Sequence, residues 1–137
     1  FNLHGSPMTP TWDGVDDPAG PLTLALSEGT LSRLPISRAG VFAINCYLGD
    51  ENHPMRLALA RARASWVVSG KDVKYAGISV PIGADILLKY FVRSLNKKNP
   101  EEALTRAKLI TEFLSLRFTL DQRRALKDTL EFTVWRP

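Results

Sequence analysis

The stretch HPMRLALARARASWVV, residues 53–68, decides how the chain divides, because it fits two periods at once. Ala58, Ala60, Ala62 and Ala64 alternate with Leu57, Leu59, Arg61 and Arg63 as a strand would, whereas alanine at this density favours a helix. On a wheel of about 100° per residue, Met55, Leu59, Ala62 and Trp66 fall on one stripe with Ala58 beside it. Arg56 and Arg63 then flank one side of that stripe and Arg61 the other. As a strand, the segment would put Arg61 and Arg63 in line with Leu57 and Leu59, mixing charge into the apolar face. The sequence therefore predicts a helix over residues 55–66. Pro54 suits its first turn, where no N–H is needed, and Asn52 or His53 lies at the cap.

Upstream, PLTLALS alternates Leu22, Leu24 and Leu26, and VFAINCYL alternates Phe42, Ile44, Cys46 and Leu48, so both read as strands with one buried side. TLSRLPIS between them carries Pro35, which fits an edge strand or a bend. The first twenty residues, FNLHGSPMTPTWDGVDDPAG, show no period and read as a flexible, extended arm. FNLHGSP, residues 1–7, also reads as the leftover of an expression tag, and no function is assigned to His4.

Downstream, SGKD (69–72) makes a turn and VKYAGISVP (73–81) a short strand or extended connection. IGADILLKYFVRSL predicts a mostly buried helix over 82–95, with Asp85, Lys89 and Arg93 stacked as its polar strip. NPEE opens the next helix with Asn99 as cap, Pro100 in the first turn and Glu102 placed to bond back. Ala103, Ala107, Ile110, Phe113 and Leu114 supply its buried face, to about Leu116. Thr119 and Gln122 repeat the capping pattern for a shorter helix ending near Asp128. LEFTVW closes the chain as a strand with Leu130, Phe132 and Val134 on one face and Trp135 on the other. The order implies an α+β class: a small, mostly antiparallel sheet packed against about four helices, with an arm over residues 1–20 and a single domain over 21–137.

Composition bounds the function. The chain has 137 residues, enough for one real core, and no run of about 18 apolar residues that could span a bilayer. A single cysteine excludes an internal disulfide, and with only His4 and His53 a zinc site is not expected, so a reducing, intracellular setting, with no metal and no cofactor, is the expectation. Catalytic patterns are thin. NCYLGDENH places Cys46, Asp50, Glu51 and His53 close together, and a cysteine-dependent enzyme using Cys46 and His53 is the alternative reading, but Cys46 shares its expected face with Phe42, Ile44 and Leu48, as an inert buried thiol would. No phosphate-binding glycine loop occurs.

Charge is more informative. Residues 1–54 hold two basic side chains against six acidic ones, a net −4, and residues 55–137 carry +8. Arg56, Arg61 and Arg63, Lys97 and Lys98, and Arg123, Arg124 and Lys127 could join into one basic surface for a polyanion, RNA, nucleoprotein or acidic membrane, or could only solubilise the helices that carry them. Trp12, beside Pro10 in the arm, is large enough to dock on its own domain or on a neighbouring copy, and the neighbour is the expectation. The chain is thus read as a non-enzymatic binding and assembly protein, with a sequence-nonspecific RNA-binding viral accessory protein as a further reading.

The order of TWDGVDD, VFAINCYLGDENHP, the alanine-rich helix with its tryptophan, and YAGISVPIGADILLKYFVRSL resembles the core of the small matrix proteins of rhabdovirus type over some 85 residues. The lysine-rich tract and PPxY element of that family are not in this sequence, and its carboxy-terminal helices stand where the family has strands. The resemblance implies self-association through the arm, and contacts with nucleocapsid and anionic membrane through the basic surface.

Overall fold

The computed structural model describes residues 4–7, 9–14, 21, 23–44, 46–72 and 83–137. Its elements run β1 (His4–Gly5), β2 (Thr11–Gly14), β3 (Thr23–Ser27), α1 (Glu28–Leu31), β4 (Gly40–Phe42), α2 (Pro54–Arg61), β5 (Trp66–Ser69), α3 (Ala84–Leu95), α4 (Pro100–Ser115), α5 (Leu120–Thr129) and β6 (Thr133–Trp135). The class is α+β.

Residues 53–69 form the helix and a strand in succession. His53 caps α2 by accepting the Met55 N–H on Nδ1 at 3.2 Å, Pro54 occupies the first turn, and Met55, Ala58 and Leu59 are buried as the wheel predicts. The helix stops at Arg61, short of the stripe that runs on to Trp66, because Arg63 takes a left-handed φ of 59°. Trp66, Val67 and Val68 then form β5, where aromatic and β-branched side chains are favoured over the alanines that precede them. Trp66 is therefore a strand residue, correcting the helical expectation.

β5 is the central strand of a sheet ordered β4-β5-β6, parallel to β4 and antiparallel to β6. Alternate side chains of these strands point to opposite faces, and each face is covered. Val41, Val67 and Trp135 pack into one core cluster with Trp12, Leu31, Leu48, Met55, Ala58 and Leu59. Phe42, Val68 and Val134 pack into the other, with Leu87 and Phe91 of α3, Ala103, Leu104 and Ala107 of α4, and Phe132. The sheet thus separates a layer made by α1, α2 and the amino-terminal strands from a layer made by α3 and α4. Burial on both faces explains why WVVS shows no alternation in sequence. Gly40 lies opposite Trp66, and a Cβ there would come within 1.8 Å of the indole, so only glycine fits.

β1, β2 and β3 form a second, antiparallel sheet, so there are two small sheets rather than one; the pairing is mostly antiparallel as expected, with β4–β5 the parallel pair. The described part of the arm is accordingly not free: Thr11–Gly14 pairs on both sides. Leu24 is 64% exposed and only Leu26 packs against the core, which corrects the expected buried side of β3. VFAINCYL is a strand only to Phe42; Cys46 and Leu48 lie in a turn, and Phe42 and Leu48 belong to opposite clusters, so the four residues share no face. The short α1, capped by Ser27, was not legible in TLSRLPIS, where Pro35 makes a bend. VKYAGISVP lies outside the described residues.

The remaining helices begin where their caps are. Asn99 accepts the Glu102 N–H at 2.9 Å, and Thr119 and Gln122 form a reciprocal capping box. Glu102 turns its carboxylate to Lys98, at 3.6 Å, instead of bonding back to the cap. On α4, Ala103, Leu104, Ala107 and Thr111 are buried, whereas Phe113, expected inside, is 65% exposed.

Candidate anion-binding cleft

α3 and α4 pack side by side, joined by the turn NKKN. Tyr90, Arg93 and Ser94, and then Lys97, follow one another at helical spacing along α3 and its last turn, so they share one flank. Arg106 and Ile110 stand one turn apart on α4. Together with Lys98 they line a cleft of about 340 Å³. Four cations and one aromatic line it: the Arg93 guanidinium lies 5.8 Å from the Tyr90 ring centroid, and the ammonium of Lys89, outside the cleft, lies 5.9 Å from the same ring. Lys98 is offset by Glu102, but Arg93, Lys97 and Arg106 form no ion pair among the described residues. Lys108, half-buried on α4, is held below the ordinary lysine pKa by burial and does not line the cleft.

Such a cleft can hold an anion by several charge-assisted hydrogen bonds and offer a ring face to a planar group. It is of a size that takes a small ligand or one or two residues of a polymer.

Protein-family models, curated proteins and solved structures give no match to this chain.

The cations singled out in the sequence do not form one surface. Arg56, Arg61 and Arg63 belong to the α2 layer, and the sheet stands between them and α3 and α4. Arg56 is committed to structure: it donates to the Gly49 carbonyl at 2.8 Å and its guanidinium lies 4.3 Å from the Trp135 ring centroid. Arg61 pairs with Glu28. Arg63 is exposed in the turn that ends α2. Lys97 and Lys98 are at the cleft, at the start of α4. Arg123, Arg124 and Lys127 are on α5, which packs back against the carboxy-terminal half of α4, and none of them lines the cleft. Arg123 donates to the carbonyls of Ser115, Leu116 and Phe118 at 3.1, 2.8 and 3.1 Å, closing the end of α4. Arg123 and Lys127 border a separate recess of about 270 Å³ between α4 and α5, and Arg124 is exposed.

Trp12 is 5% exposed and sits in the core of its own chain, and the Pro10 carbonyl accepts the Glu28 N–H at 2.8 Å. The indole fills the layer over α2 and is not presented to a neighbour, whereas Pro10 is exposed. Cys46 is half-buried. His53 is buried, with Nε2 donating to the Ser6 carbonyl at 2.8 Å while Nδ1 caps α2, so neither ring nitrogen is left to take a proton from a thiol. Among the described residues no three His, Cys, Asp or Glu side chains are grouped to hold a metal ion, and no helix is long and apolar enough to cross a membrane. Sequence reading missed Tyr90, Arg93 and Arg106; the spacing of 90, 93, 94 and 97 was visible, but the pairing of α3 with α4 that turns it into a cleft was not.

Proposed function

We propose that this protein is a non-enzymatic binding protein whose α3–α4 cleft takes single-stranded RNA. The observation that carries the reading is that Arg93, Lys97 and Arg106, which form no ion pair among the described residues, line one recess with Lys98 and Tyr90. Cations without carboxylate partners neutralise phosphates, and an aromatic among them stacks an unpaired base. A concave site between two helices favours a strand that can enter it over a flat anionic membrane. The nucleoprotein partner is the one the matrix-type resemblance implies.

The test is anisotropy of a fluorescent single-stranded oligonucleotide titrated at several salt concentrations, with phosphatidylserine vesicles in parallel. The unmodified chain is expected to bind RNA with affinity falling steeply in salt. Replacing Arg93, Lys97 and Arg106 together by glutamine should lower the slope of log K against log salt by about 2, at roughly 0.7 for each lost phosphate contact. Arg61→Gln, in the other layer, should leave binding unchanged. Unaltered RNA affinity in the triple variant, or binding to vesicles alone, would remove this reading.

A further inference from the structure

The recess of about 270 Å³ between α4 and α5 shares no residue with the α3–α4 cleft. Thr111 and Glu112 line it from the last two turns of α4. Arg123, Leu126 and Lys127 follow one another at helical spacing on the facing flank of α5, with Leu130 at the end of that helix. Glu112 has no structural role that accounts for it: the helix dipole opposes a carboxylate in the last turn of α4, and Glu112 forms no ion pair among the described residues. Lys127, exposed on the other wall, is likewise unpaired, so the two opposite charges border one space without closing it. Arg123 is fixed by the three carbonyls that Nε and Nη2 donate to, and Nη1 keeps its donors for another acceptor. Thr111 is fully buried, and its hydroxyl has no hydrogen-bond partner among the described residues, a cost that valine in the same place would not carry. The open volume beside it is this recess, and a helical threonine has two χ1 rotamers through which to meet a ligand there.

We infer that this recess binds a free amino acid with an aliphatic side chain. Its volume lies just below the roughly 300–1,000 Å³ of pockets that hold drug-sized ligands, which suits a smaller molecule. Charge selects among small molecules. A simple anion would meet Lys127 and Arg123 but stand against Glu112, and a simple cation would meet Glu112 but stand against the other two. A neutral apolar molecule would leave all three unused. A zwitterion meets both signs at once: its ammonium donates to the Glu112 carboxylate and to Thr111 Oγ1, and its carboxylate accepts from Lys127 Nζ and Arg123 Nη1. Leu126, which is 2% exposed, and the half-buried Leu130 supply apolar surface for the side chain. Because Arg123 is already held by the end of α4, binding does not have to order it. The site is separate from the RNA cleft and does not depend on that reading.

The experiment is isothermal titration calorimetry of the full chain, free of nucleic acid, with three ligands: leucine, isocaproate, which is leucine without its ammonium, and isoamylamine, which is leucine without its carboxylate. Leucine is expected to bind, and each of the other two at least about tenfold more weakly. Glu112→Gln should lower leucine affinity about tenfold and abolish the preference for leucine over isocaproate. Lys127→Gln should lower it similarly and abolish the preference for leucine over isoamylamine. Both positions are exposed, so thermal melts of the ligand-free variants should match the unmodified chain. Thr111→Val should weaken leucine binding several-fold while the ligand-free chain melts no earlier. Absence of leucine binding at millimolar concentration, isocaproate or isoamylamine binding as tightly as leucine, or unaltered leucine affinity in any of the three variants would each overturn the site and leave a recess that holds water alone.

Discussion

Trp12→Ala separates an arm that holds its own domain from one that reaches for another. The indole is 5% exposed and packs in the cluster that contains Leu31, Leu48, Met55 and Leu59. Deleting so large a buried ring removes its transfer free energy and leaves a cavity, a combined loss of about 3–5 kcal/mol. Set against a global stability of roughly 5–15 kcal/mol, that is a large share, and for a chain of this length it lowers Tm by roughly 10–20 °C. The indole Nε1 is buried without a hydrogen-bond partner among the described residues. Trp12→Phe therefore removes an unsatisfied donor along with part of the ring, two effects of opposite sign, and should cost much less than the alanine variant. Urea unfolding followed by circular dichroism gives both values, and sedimentation of the folded fraction gives the mass. A Trp12→Ala protein that melts within a few degrees of the unmodified chain while losing self-association would refute the reasoning and return the arm to an intermolecular role.

Two further outcomes follow from the packing. Gly40→Ala drives a methyl to within 1.8 Å of the Trp66 indole, which is held edge-on to Phe91 at 5.6 Å, so the β4–β5 pairing must shift; a loss of about 1–3 kcal/mol is expected by urea unfolding, with near-UV circular dichroism reporting the displaced tryptophan. Arg123→Gln uncovers three carbonyls at the end of α4 and should cost about 1–2 kcal/mol of stability while leaving RNA affinity unchanged; an RNA defect in a fully folded Arg123→Gln protein would show that α5 takes part in the site.

What was legible in the sequence was local. Asn99 with Pro100, and Thr119 with Gln122, mark helix starts because a cap needs only its own next three residues, and both stand as read. The class followed from the same signals. β5 was missed because the stripe of α2 continues in phase through Ala62 to Trp66, and the left-handed Arg63 that interrupts it carries no signature of its own. A strand buried on both faces also offers no alternation to find. Phe42 and Leu48 looked like one face for the complementary reason: a period of two was extended past the point where the strand ends.

The binding surface was less legible, because charge in a sequence does not say what a cation touches. Arg56 and Arg123 look like the free basic residues of a polyanion surface, yet each is held by backbone carbonyls that other parts of the fold leave unpaired, Gly49 for the first and the end of α4 for the second. Arg93 looked like part of a solvated strip on α3, and becomes part of a cleft because α4 brings Arg106 to the same recess, whose lining includes no carboxylate. Phe113 was placed inside because it is apolar, whereas its angle on α4 sets it opposite Ala107 and Thr111. The same wheel that assigned Met55 and Leu59 to the core of α2 would have assigned Phe113 to the outside, had Leu104 and Thr111 been allowed to define the inner face. A helix apolar on two opposite sides has one more face than the described part of its own domain covers, and that excess is readable in the spacing of Leu109, Phe113 and Leu116.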